Sequence, residues 1–174
     1  MPRHHVSEAE LTLPVGWQDQ SVSSYALPRP GEAGGSDATF VITRDYQGPR
    51  DLARLAPGED FLARYADKQF VEAAQRLNKF ERLGQTEAQI GGRRALVTET
   101  AWTMPDGVRV RQRQGFVRLS DRVVVFTLTT RETDFAKYAG VWAEMTSGLA
   151  WRPGAGLPSI AMPGATPGPS QSGA

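Results

Sequence analysis

Cysteine is absent from the 174 residues, which excludes disulfides, thiol nucleophiles and cysteine–zinc sites. Histidine is nearly absent as well. The two present, His4 and His5, sit at the start of the chain, where a frayed pair with no third ligand at metal-binding spacing is the economical reading. No metal site is expected. Without a histidine in the body of the chain, a serine–histidine site has no base. The carboxylate pairs Glu8 with Glu10 and Glu59 with Asp60 read as solvated surface, and GGRR at 91–94 reads as a turn, because no helix follows it to make a phosphate loop. The sequence therefore predicts no catalytic residue, no cofactor and no ATP site, and the expectation is a protein that is not an enzyme.

A dominant charge is missing too. Twenty Lys and Arg oppose nineteen Asp and Glu, a formal net charge of +1, so neither nucleic acid nor an acidic membrane is expected as a partner. No apolar run reaches the length of a bilayer-crossing helix. The opening MPRHHVSEAELTLP has no apolar core of the kind a signal peptide carries. These readings predict a cytoplasmic protein with no membrane insertion of its own.

What is present divides into two parts. Residues 153–174 hold five prolines, five glycines and no charged side chain. Such a segment cannot bury enough apolar surface to offset its ordering entropy, so 152–174 is expected to be a disordered tail and 1–151 the folded domain. Within that domain, alternation predicts strands at 10–14, 21–27, 38–45, 80–90, 93–102, 108–119 and 122–130. PRPGEAGGSD at 28–37 reads as a loop, and IGGR, MPDG and LSDR as hairpin turns. A helix is predicted over about 58–77, with Glu59 and Asp60 in its first turn. A second, over 133–150, spaces Phe135, Tyr138, Val141, Trp142 and Met145 helically. Trp17, Trp102, Trp142 and Trp151 read as packing residues, Trp151 pinning the end of the last helix. The fold class expected is α+β, an antiparallel sheet flanked by helices.

One strand breaks its own pattern. In VRVRQRQGFVRL (108–119), Val108, Val110, Gln112, Gln114 and Phe116 share a face, and Arg109, Arg111 and Arg113 share the other. Two neutral amides thus interrupt an apolar strip. Gln69 does the same on the first helix, in a stripe with Leu62, Tyr65, Ala66, Ala73 and Leu77. The residues alone leave two readings open. The glutamines are half-exposed side chains bonded to their surroundings, or they line a groove and pair with a guest's polar groups. Glutamine suits the second role, since it donates and accepts without a charge to desolvate.

Four stretches carry a family resemblance: LPVGWQDQSVSSY (13–25), FVITRD (40–45), IGGRRALVTETAW (90–102) and VRQRQGFV (110–117). In this order and spacing, across residues 6–151, they resemble the DcrB-related proteins and look most like the Eag-type chaperones of type VI secretion systems. The resemblance implies a PsbP-like fold and a homodimer. It also implies a client, the N-terminal transmembrane segment of a PAAR-containing or Rhs effector, shielded in an apolar groove before loading on the spike. The groove positions it implies are Val22, Ser24, Gln69, Leu77, Gln112 and Gln114. Ser24 departs from the pattern, which is aliphatic there. An alternative is a DcrB-like module that binds a small apolar ligand or envelope component. A hydrolase is a third reading, disfavoured by the missing histidine.

Overall fold

The computed structural model describes residues 22–31, 36–47, 58–120 and 122–151. His4, His5, Trp17, the strand expected at 10–14 and the tail from 152 all lie outside the described residues. Six strands form one antiparallel sheet: β1 (Ser23–Pro28), β2 (Ser36–Tyr46), β3 (Asn78–Ile90), β4 (Arg93–Thr103), β5 (Arg109–Arg118) and β6 (Arg122–Arg131). Their spatial order is β1-β2-β6-β5-β4-β3. The chain therefore leaves β2, reaches the far edge at β3, and returns as a meander to close against β2. That journey crosses four strand spacings, about 19 Å. Helix α1 (Phe61–Arg76), whose 16 residues reach about 24 Å, makes the crossing over one face. The α+β expectation holds.

Asp60 starts α1 as its N-cap. Its carboxylate accepts from the backbone N–H groups of Leu62 and Ala63, at 2.9 and 3.4 Å, filling two of the bonds a helix start leaves open. It also pairs with Arg94. Asp60 thus caps the helix instead of lying within its first turn, and it is committed to partners instead of free in solvent. Phe61, Leu62, Tyr65, Ala66 and Phe70 pack over Leu96, Phe116, Val123 and Val125. Tyr65 donates its hydroxyl to Asp45 Oδ2 at 2.7 Å, tying the helix back to β2.

The second helix arrives in two pieces. Glu132–Tyr138 forms a 3-10 segment and Ala139–Ser147 the helix α2. Part of the break has a visible anchor, because Phe135 is held between the guanidiniums of β5 (4.3 Å from Arg111, 5.1 Å from Arg113). Trp142 and Phe126 centre the core on this side, with Phe40, Val117 and Leu128. Gly115 faces the same core, where an added Cβ would overlap Ile90 and lie 3.3 Å from the Trp142 ring. Trp151 packs edge-on against Phe126 and donates its indole N–H to Ile90 O at 3.3 Å. The turn between β3 and β4 needs positive φ at Gly91 and Gly92 (56° and 75°), the hallmark of a two-residue I′ hairpin. No helix among the described residues is long and apolar enough to cross a membrane.

Candidate functional site

Directly opposed residues in an antiparallel sheet point to the same side, so the register assigns every side chain to a face. Gln112 stands opposite Thr100 on β4 and Thr129 on β6. Thr129 in turn faces Thr39, which faces Ala26. One row along, Gln114 stands opposite Thr98 and Thr127, and the row continues through Val41 to Ser24. Phe116, in the row beyond, packs against Tyr65 of α1 at 5.6 Å between ring centroids. Both amides therefore share the face that α1 partly covers.

Burial grades across that face. Thr98 and Thr100, on β4, are 1% and 2% exposed. Gln112, Gln114, Thr127, Thr129, Thr39 and Val41 are half-buried, and Ser24 and Ala26 at the β1 edge are exposed. The surface opens from the helix towards β1. On it, Gln112 donates its Nε2–H to Thr129 Oγ1 at 3.0 Å. Among the described residues, Gln114 has no side-chain hydrogen bond and the buried Thr98 Oγ1 has no partner.

The residues expected to line a groove divide between sheet and helix. Ser24, Gln112 and Gln114 come together on one face. Val22 lies one residue ahead of β1 and is 57% exposed. On α1, Gln69 continues the line Leu62–Ala66 along the helix and is half-buried, as is Leu77. Leu77 is the C-cap, its N–H bonded to Ala73 O at 2.8 Å. Helix and sheet residues thus belong to one side of the molecule. The surface itself is less greasy than an apolar groove, since the neighbours of the two glutamines are mostly threonines. Reasoning on β5 alone missed Thr98, Thr100, Thr127 and Thr129. The signal was present in TET at 98–100 and TLTT at 127–130, where alternation puts those threonines on a common side once the hairpins set the register.

The arginine face has a structural use. Arg113 donates its Nε–H to Glu99 at 2.9 Å, and Arg111 also pairs with Glu99. Arg109 bridges Glu81 and, at 2.9 Å, Glu132. Burial alone would raise the Glu99 pKa, but the hydrogen bonds from Arg111 and Arg113 outweigh it and hold the carboxyl below its usual value. The network and the Phe135 stack fasten the 3-10 segment to the sheet. A separate apolar concavity of about 440 Å³ lies on this same side, between α2 and β1–β2, with Tyr25, Leu27, Phe40, Leu128, Tyr138 and Met145 in its wall.

An uncharged band of amides and threonines thus lies on an antiparallel sheet, beside a crossing helix. The DcrB family model matches residues 8–145. The chain belongs to the DcrB family. It is 32% identical over 153 residues to the protein named Effector EagT6 of Pseudomonas aeruginosa strain PAO1, covering 88% of this chain and 98% of that one, and is thus an Eag-related member. The crystal structure of PA94, a Pseudomonas aeruginosa protein of unknown function, superposes with a TM-score of 0.65 at 28% identity, covering 86% of this chain and 96% of that one. The solution structure of PsbP (CyanoP) from Synechocystis sp. PCC 6803 gives a TM-score of 0.48 at 11% identity, over 79% and 96% of the two chains. At that distance it bears on neither function nor partner.

Proposed function

We propose that the chain is an ATP-independent cytoplasmic adaptor, working as a homodimer, that shields the N-terminal transmembrane helices of a PAAR-containing or Rhs-type effector before type VI secretion. The observation that carries this reading is the neutral band centred on Gln112 and Gln114, open towards β1 and flanked by α1. An apolar helix in water exposes a surface unfavourable by roughly 25 cal/mol per Å², and a broad sheet face can cover it. The amides and hydroxyls then meet the client's own polar groups, which would otherwise be buried unpaired. Uncharged partners suit this, because a charge would have to be desolvated. Transmembrane helices pack on one another through close contacts and side-chain hydrogen bonds, and a threonine-rich sheet offers a client the same kind of neighbour. Likeness to Effector EagT6 over nearly its whole length supports the effector connection. The test is coexpression with the N-terminal fragment of a PAAR-containing or Rhs-type effector. A stable soluble complex is expected, and a fragment that aggregates alone while the chain stays unbound contradicts the reading.

A second reading has its own observation. The apolar concavity of about 440 Å³ beside α2 is large enough for a small apolar ligand, which would make the chain a ligand-binding DcrB-type module. Native mass spectrometry separates the two: a retained small molecule favours this reading, and an empty chain that captures apolar helices favours the adaptor.

A further inference from the structure

Thr98 is 1% exposed, and its hydroxyl has no hydrogen-bond partner among the described residues. Directly across the β4–β5 pairing stands Gln114, half-buried and itself without a side-chain bond to another described residue. Opposed side chains start about 5 Å apart at Cβ, within reach of a glutamine amide. A buried hydroxyl without a partner is disfavoured, and the amide able to satisfy it is partly exposed on the open face. The neighbouring row shows the bonded counterpart, for Gln112 is already held by Thr129 at 3.0 Å.

Resting on the adaptor reading, we infer that Thr98 is a positioning residue for client selection. While water covers the face, Gln114 is solvated and Thr98 is unpaired. When an apolar helix docks, water leaves and both ends of the amide need partners. The Thr98 hydroxyl takes one end and turns the other towards the client. A client with an uncharged hydrogen-bonding group at that level, a serine or threonine hydroxyl, completes the set. A purely aliphatic helix leaves the outer end of the amide buried and unpaired, and is rejected on that account. Gln112, anchored in advance by Thr129, discriminates less.

The experiment uses the full chain with two lysine-flanked alanine–leucine helical peptides, one with two central serines and one with alanines in their place. Binding is measured for wild type, Thr98→Val, Thr98→Ser and Gln114→Ala. Wild type should prefer the serine peptide by roughly threefold to tenfold, the range of one neutral hydrogen bond. Thr98→Val, nearly the same shape without the hydroxyl, should erase that preference, and Thr98→Ser should keep it. In the Gln114→Ala background Thr98→Val should add nothing, since the two act as one unit. Removing an unpaired hydroxyl should also leave the melting temperature of the free chain unchanged or raised. The inference is overturned if Thr98→Val retains the preference, if Thr98→Ser loses it equally, or if Thr98→Val lowers the melting temperature by several degrees. A wild type that holds the effector fragment but shows no preference between the peptides overturns this inference alone. A wild type that binds neither peptide nor fragment overturns the adaptor reading with it.

Discussion

Gln112 of β5 donates to the hydroxyl of Thr129 on β6 at 3.0 Å, so one of the two amides that interrupt the apolar strip is built into the sheet. Its partner Gln114 has no such tether. That difference makes the two glutamines separable in experiment. Truncating Gln112 to Ala frees the Thr129 hydroxyl and removes a bond present in the free chain, with an expected loss of about 0.5–1.5 kcal/mol in folding stability. Gln114→Ala should leave folding stability within about 0.5 kcal/mol of wild type. Urea unfolding of the two single variants checks this, and equal losses would contradict the assigned geometry.

The Gly115 backbone is pressed against the second core. A methyl group there would overlap Ile90 and crowd Trp142, so Gly115→Ala is expected to destabilise by about 1–3 kcal/mol through overpacking. A companion Ile90→Val change should recover part of the loss by making room. Chemical denaturation of both variants reads the result.

Acid should weaken the fold through two carboxylates. Glu99 is held below its ordinary pKa once its arginine bonds outweigh burial, and Asp60 is lowered first by Arg94 and then by the Leu62 and Ala63 N–H groups. A carboxyl whose folded pKa lies below its unfolded one stabilises fully above the unfolded value, about 4 for these groups. That contribution is lost as pH falls through the folded value. Stability should therefore be flat on this account from neutrality to about pH 5 and decline below it. Glu99→Gln should shrink the decline, and an unchanged acid profile in that variant would contradict the role given to the network.

Asp60 also carries a prediction independent of pH. Asp60→Ala removes the cap of α1, with an expected cost of about 0.5–2 kcal/mol. Asp60→Asn keeps the capping oxygen and should recover much of it. The loss of the Arg94 pair, largely exposed, should add little.

Much of this was legible in the sequence because its local signals agreed with one another. Alternation located β2 to β6, Gly91–Gly92 marked the hairpin between β3 and β4, and the apolar stripe of Leu62, Tyr65 and Ala66 found the buried side of α1. The last helix was harder to place. Its periodicity is continuous through Phe135, but the cation stack from Arg111 and Arg113 is a long-range contact that no local pattern contains. The site divides the same way. Gln112 and Gln114 stand out on one strand, whereas the threonines around them come from β2, β4 and β6 and become neighbours only through the strand order. Thr98 is the extreme case: nothing about TET announces a buried hydroxyl with no partner among the described residues. Alternation puts Arg109, Arg111 and Arg113 on one face, but their partners Glu81, Glu99 and Glu132 come from β3, β4 and the 3-10 segment.

The central claim is that the amides on β5 recognise a client helix. Its most direct test is the affinity of the effector's N-terminal fragment for Gln112→Leu/Gln114→Leu beside wild type, with circular dichroism confirming the fold. Leucine keeps apolar contact and deletes the hydrogen bonds, so recognition through the amides predicts an affinity lower by roughly ten- to a hundredfold, two bonds at about 1 kcal/mol or more apiece. A double variant that binds the fragment as tightly as wild type, or more tightly, would contradict the account.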